Sequence, residues 1–260
     1  MRKFLVAAAL IIHAHCVCAQ ADNDVFYVFK KDWSPAEGIK DAAYFMQPLK
    51  ENDTTYVCRY YQKLGPMVKQ ESFKDSNLTI PNGFFAWYNK KGMIDSSGYV
   101  VNGKKDHQWQ YFKNDVKAYM IMWYDNGKWD RTENIAAKTI TYADGRIENK
   151  PQKEELKYDT TNQHQAQFPG GPAAWSTYLT RNLNIPDRLL GIGHGGVITV
   201  DFLVDKEGNI VNVTLRQSLE WSADAEAIRL IKRGPKWIPA EQGGRRVFYR
   251  QLQSITMAIN

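Results

Sequence analysis

Apolar and polar positions alternate most cleanly between residues 196 and 259, where the pattern changes in the order strand, turn, strand, helix, strand. In 197–204 the even positions Ile198, Val200, Phe202 and Val204 are apolar while Thr199 and Asp201 mark the other face, which predicts a half-buried strand. Asp205-Lys206-Glu207-Gly208-Asn209 supplies turn chemistry, because Gly208 takes positive φ at no steric cost. Val211, Val213 and Leu215 resume the alternation, so the two runs predict a hairpin. Ser222 is placed to cap a helix, Asp224 and Glu226 lie where the dipole favours anions, and Ala227, Ile228 and Ile231 form an apolar stripe. Lys232, Arg233, Gly234 and Pro235 end that helix. Residues 245–259 read as a long last strand. Its alternation falters, because Val247 and Tyr249 share a face with Gln251 and Gln253 before Ile255, Met257 and Ile259 resume, predicting a bulge near Gln251 or a polar stretch of that face.

Upstream, residues 25–145 lack a helical period, apart from an amphipathic turn read at Ala42-Ala43-Tyr44-Phe45. Aromatic clusters recur just ahead of turn residues: Trp87-Tyr88 before Gly92, Tyr99 before Gly103, Tyr111-Phe112 before Asp115, Trp123-Tyr124 before Gly127 and Tyr142 before Gly145. The turns fall 11 or 12 residues apart, which predicts two antiparallel strands per 23 to 24 residues and a repeat. The phrases Gly98-Tyr99-Val100-Val101-Asn102-Gly103-Lys104 and Trp123-Tyr124-Asp125-Asn126-Gly127-Lys128-Trp129 resemble the variant MORN repeat, a hairpin module with an aromatic strand and an Asn-Gly-Lys turn. Tyr60-Tyr61 before Gly65 is a degenerate earlier copy. The rings are read as packing residues of a thin sheet.

Residues 149–167 are polar, with Leu156 the only aliphatic larger than Ala, and read as a linker. At the other end, Met1-Arg2-Lys3, the apolar run 4–12 and Val17-Cys18-Ala19 before Gln20 fit an export signal cleaved between Ala19 and Gln20. About nine apolar residues fall short of the roughly 20 that a membrane-spanning helix needs. Cleavage leaves Cys58 as the one cysteine of the mature chain, so its stability rests on core packing without an intrachain disulfide. The divisions expected are 1–19 signal, 20–148 repeat domain, 149–167 linker and 168–260 second domain.

In that second domain Trp175, Tyr178, Leu179 and Leu183 recur at helical spacing and predict a helix over 173–182. The series Pro169-Gly170-Gly171, Tyr178-Leu179, Asn182-Leu183, Ile185-Pro186, Gly193, Gly196-Val197-Ile198-Thr199-Val200-Asp201-Phe202, Asp205, Gly208-Asn209-Ile210, Asp224, Glu226-Ala227-Ile228, Trp237-Ile238-Pro239-Ala240 and Gly244 resembles the C-terminal domain of TonB energy transducers. The resemblance implies an α+β fold, a three-stranded antiparallel sheet with two helices, preceded here by the all-β MORN-like domain. It also implies a non-enzymatic role without a cofactor: the last strand lends its edge to the TonB box of an outer-membrane TonB-dependent receptor. Carried over by position, the recipient edge is Arg246, Val247, Phe248, Tyr249, Arg250, Gln251 and Leu252. Arg246 and Arg250 suit an acidic partner peptide and discourage indiscriminate pairing. The implied location is the periplasm. The alternative is an inner-membrane anchor facing it, and a proton-driven motor joins the partners only if the N-terminus is retained. A second reading is an envelope-assembly protein that binds through its MORN-like repeats and forms homodimers through the C-terminal domain.

Other signals carry less. Gly191-Ile192-Gly193-His194-Gly195-Gly196 matches GxGxxG but opens a strand, whereas a dinucleotide loop opens a helix. No GxSxG accompanies His194-Gly195-Gly196, and His107, His164 and His194 lack metal-ligand spacing, so no metal or catalytic group is assigned. The net charge of +6 is spread over both domains without a basic-aromatic stripe, so nucleic acid is not expected as a partner.

Overall fold

The structure, a computed structural model, describes residues 16–18 (backbone only), 25–113, 117–150 and 163–259. The chain divides into two compact units, Met1–Lys150 and Pro151–Asn260. The Ala19/Gln20 cleavage site and residues 151–162 of the expected linker lie outside the described residues.

The first unit is one antiparallel sheet whose strands follow chain order: β1 (Cys16–Cys18), β2 (Val25–Phe29), β3 (Tyr44–Asn52), β4 (Thr55–Gln62), β5 (Met67–Phe73), β6 (Gly83–Tyr88), β7 (Ile94–Val101), β8 (Lys104–Phe112), β9 (Ala118–Asp125), β10 (Lys128–Asn134), β11 (Thr139–Tyr142) and β12 (Ile147–Asn149). The turn read at residues 42–45 is instead the start of β3, because Tyr44 and Phe45 pair with Phe29 and Val28 and across to Gln62 and Tyr61. The two Asn-Gly pairs form the two-residue hairpin loops their composition predicts, with φ of 49° and 80° at Asn102-Gly103 and 47° and 88° at Asn126-Gly127. Each loop is tied back to the preceding hairpin: the Gly103 N–H donates to Pro81 O and the Gly127 N–H to Lys105 O, both at 2.8 Å. From 103 to 127 and from 81 to 105 the step is 24 residues, so the spacing read from aromatic and turn residues is a step of the backbone itself.

A thin sheet has to bury its rings against one another, and one face of this one does so in two clusters. Phe29, Met46, Cys58, Tyr60, Phe73 and Leu78 form the first, with Trp33 stacked on Tyr44 at 4.3 Å; Phe85, Val100 and Trp109 centre the second, with Trp87 5.6 Å from Trp109. Towards β12 the opposite face is covered by charged side chains. The Arg131 guanidinium lies 4.4 Å from the Trp123 ring, whose N–H donates to Glu133, and Lys150 pairs with Glu133 at 2.6 Å.

Two lysines lie among these rings. Lys69 Nζ sits 4.1 Å from the Tyr60 ring and pairs with Glu71 at 2.7 Å; Lys105 Nζ sits 4.1 Å from Trp109 and 4.9 Å from Tyr124 and donates to the Tyr111 hydroxyl at 3.4 Å. Burial pushes the Lys105 ammonium down to about 8, and burial likewise raises the phenols of Tyr60, Tyr111 and Tyr124. Between about pH 8 and the ordinary lysine value of 10.5, the unfolded chain holds a proton that folded Lys105 has released, so stability rises with pH. Above about pH 10 tyrosines ionise in the unfolded chain while the buried phenols stay neutral, and stability falls. A series of thermal melts is expected to peak in the window between, and Lys105→Met to flatten the rising limb. A limb unchanged in that variant places the titration elsewhere.

The second unit contains α1 (Gly171–Asn182), α2 (Asp187–Ile192), β13 (Gly196–Val204), β14 (Ile210–Gln217), α3 (Trp221–Arg233), β15 (Ala240–Gln242), β16 (Arg245–Val247) and β17 (Tyr249–Met257). Three strands form an antiparallel sheet in the order β14-β13-β17, while β15 and β16 form a separate hairpin. The fold is thus α+β as expected, with three helices among the described residues where the resemblance implied two. The unit also reaches upstream of Phe168, since the backbone of His164 pairs with Glu241 and that of Gln167 with Ile238.

The even side chains of β13 are fully buried, and α3 lays Ala223, Ala227, Leu230 and Ile231 over the sheet. Trp237 stands edge-on to Phe202 at 5.1 Å and to Phe168 at 5.9 Å, and the Tyr178 hydroxyl fastens α1 to Leu230 O. The cap of α3 is Glu220, not Ser222. The Glu220 carboxylate accepts from the Ala223 N–H at 2.7 Å and from the Ser222 hydroxyl, and it also pairs with Arg188 of α2 at 3.0 Å. A carboxylate there satisfies an orphan N–H and joins α2 to α3 in one step, which a serine hydroxyl could not do.

Candidate strand-binding edge

The long last strand expected over 245–259 is divided at Phe248. Arg246 and Val247 belong to β16, where they pair with Glu241 and Ala240; Phe248 is 58% exposed between the strands; Tyr249, Arg250, Gln251 and Leu252 open β17. The seven residues assigned to a recipient edge are therefore split between a hairpin and the main sheet, and the stretch that runs on as sheet edge is Tyr249–Met257.

A three-stranded sheet has two edges, and these two differ. Along β14 the register against β13 shifts twice, once between Thr199 and Val200 and once between Asp201 and Leu203, and Asn212 beside the second shift has φ of 53°. Bulges of this kind twist an edge away from further pairing. Along β17 nine consecutive pairs run from Gly196 with Met257 to Val204 with Tyr249 without a shift. Among the described residues no strand pairs with the outer side of β17. Alternate N–H and C=O groups of an edge strand point away from its neighbour, so β17 presents a straight row of donors and acceptors.

The unbroken register decides between the two explanations for the faltering alternation. Gln251 and Gln253 stand opposite Phe202 and Val200 without a bulge, so the helix-side face of β17 is polar in its first half and apolar at Ile255 and Met257.

On the other face lies a group that alternation alone misplaced. Asp201, read as a solvent-side residue of a half-buried strand, is buried at 4% exposure, and Thr199 beside it is buried as well. Arg216 from β14 donates to Asp201 Oδ2 from Nε at 2.7 Å. Arg250 from β17 donates from Nε to Oδ1 at 2.8 Å and to Oδ2 at 3.0 Å, and its Nη2 also donates to Oδ2. One carboxylate on the central strand thus holds a guanidinium from each outer strand. Charge-assisted bonds are the strong kind, and here they cross-link all three strands. The signal that could have found them is long-range: an acidic residue mid-strand with arginines in both strands to either side.

Residues 182–256 match a family model, the Gram-negative bacterial TonB protein C-terminal. The match begins at the end of α1 and runs to Thr256 in β17, so it contains β14, all of β17 but Met257 and the Asp201 cluster, and leaves the first unit outside. Neither the curated proteins nor the solved structures contain a match. The matched family is a transport-associated domain without catalytic activity. Among the described residues no helix is long and apolar enough to cross a membrane.

Proposed function

We propose that the second unit is a periplasmic protein-binding module that takes an extended segment of an outer-membrane TonB-dependent receptor onto β17 and so contributes to energy-coupled transport. The observation that carries this reading is the straight nine-residue edge, all of which but Met257 lies in the stretch that matches the TonB C-terminal family. Main-chain hydrogen bonds supply affinity in strand addition and side-chain pockets supply selectivity, so the register of the edge matters more than any one side chain. The first unit is an all-β array of variant MORN-like hairpins, a reading supported by the 24-residue backbone step.

The chain is exported by cleavage between Ala19 and Gln20, which removes β1 (Cys16–Cys18) and leaves β2 as the first strand of the sheet, and the proton-driven inner-membrane motor is a partner only where the N-terminal segment is kept. N-terminal sequencing of the exported protein distinguishes the two. The function itself is tested by titrating the full chain with receptor TonB-box peptides. Saturable binding is expected, and its absence from a folded chain would refute the reading. A second reading, of an envelope-assembly protein that dimerises through the same edge, draws support from Leu252 on that edge and Phe248 just ahead of it, which are apolar and exposed at 39% and 58%. Sedimentation separates the two, because a dimer that buries β17 leaves no edge for a receptor.

A further inference from the structure

Edge strands that must stay unpaired commonly carry long charged side chains that guard the open backbone. β17 carries such a residue at Arg250, and its guanidinium is drawn inward. In the register Asp201 stands opposite Leu252, while Arg250 stands opposite Leu203, so Arg250 reaches across and along the ladder to the Asp201 carboxylate. The carboxylate is buried and gripped from the far side by Arg216, whereas about half of the Arg250 side chain is exposed. Giving up those bonds to extend outward costs more than an exposed surface pair returns.

We infer that Asp201 is a positioning residue for strand addition: it latches Arg250 onto β13 and thereby keeps the outer side of β17 clear for a visiting strand. The inference rests on β17 being the recipient edge proposed above. Freed from Asp201, the arginine regains rotamers that sweep across the open N–H and C=O groups, turning an accepting edge into a guarded one.

The test uses the full chain and a fluorescein-labelled peptide of alternating threonine and valine with blocked ends, about ten residues long, followed by anisotropy. The uncharged peptide removes direct attraction to the arginine from the measurement. The unaltered chain binds saturably; Asp201→Asn weakens binding about tenfold or more; and Asp201→Asn with Arg250→Ser, which lacks the freed side chain, binds at least about fivefold more tightly than Asp201→Asn. The rescue is the readout that a merely structural role does not move, since shortening Arg250 does nothing to replace the carboxylate beside Arg216. Binding by Asp201→Asn equal to that of the unaltered chain, or a double variant as weak as Asp201→Asn, overturns the latch and leaves strand addition standing. If Asp201→Asn does not fold, Arg250→Ser still decides: a tenfold loss there makes Arg250 itself the contact and overturns the latch. No binding by the unaltered chain overturns strand addition, and the latch with it.

Discussion

Gly98→Ala is expected to lower the stability of the first unit by about 3 kcal/mol, the upper end of the usual cost of overpacking. A β-carbon at Gly98 would stand 2.4 Å from Cδ2 and 2.5 Å from Cγ of Trp109, far inside van der Waals contact, so the indole has to leave. It has nowhere to go cheaply. Trp109 is 1% exposed, donates its N–H to Tyr99 O at 3.0 Å, packs on Trp87 and carries the Lys105 ammonium on its face. The local backbone is already committed to the arrangement: opposite Gly98 the register between β7 and β8 shifts, and His107 takes φ of 55°. Urea unfolding followed by tryptophan fluorescence measures the loss. Alkylation of Cys58 offers a second readout, because its thiol is buried and burial pushes its pKa up to about 12, so it reacts at neutral pH only when the unit opens. A loss below about 1 kcal/mol would mean that the indole moves aside freely, against the packing described.

What could be read from sequence follows from how local each signal is. The hairpin of β13 and β14, helix α3 and the repeating Asn-Gly loops rest on periods and turn residues within a dozen positions, and they stand where alternation put them. Helix α2 leaves no mark in the pattern, because six residues burying only Leu189 cannot display a helical period. The break at Phe248 is hidden in the sequence because strand-forming residues continue through it, and only pairing with Ala240 and Glu241 shows that the chain changes sheet. Alternation places Asp201 on the solvent side because it reports one face at a time. What buries it comes partly from residues 15 and 49 positions away, which no local window contains. The α3 cap shows the same limit in miniature, since Ser222 is a favoured cap type yet its hydroxyl donates to the carboxylate that does the capping. In the candidate edge, the family likeness supplied the strand, while its straightness and the bulged alternative at β14 are matters of register that composition does not encode.

Gly208→Ala is expected to be the most damaging single-methyl change in the second unit, and a comparison with Gly244→Ala isolates the reason. Both glycines have left-handed backbone, φ of 83° and 71°, so alanine at either costs about 1 kcal/mol through conformation alone. Around Gly244 an added β-carbon meets nothing within 4 Å; at Gly208 it would lie 2.1 Å from the carbonyl oxygen of Trp237. That oxygen belongs to backbone that cannot drift away, because the Trp237 N–H donates to Gly208 O at 2.9 Å and Ile238 is bonded in both directions to Gln167. Relieving the clash therefore means lifting Trp237 from Phe202 and Phe168, and with it part of the layer that covers the helix side of the sheet. The expected loss is about 3 kcal/mol or more for Gly208→Ala against about 1 kcal/mol for Gly244→Ala, measured by chemical unfolding of the full chain. Equal losses would show that backbone conformation accounts for both and that the turn is not braced by Trp237. The consequence for binding is separable from the consequence for folding: Gly208 lies in the β13–β14 turn, away from the outer side of β17, so under conditions where the variant is still folded its affinity for an added strand should be unchanged.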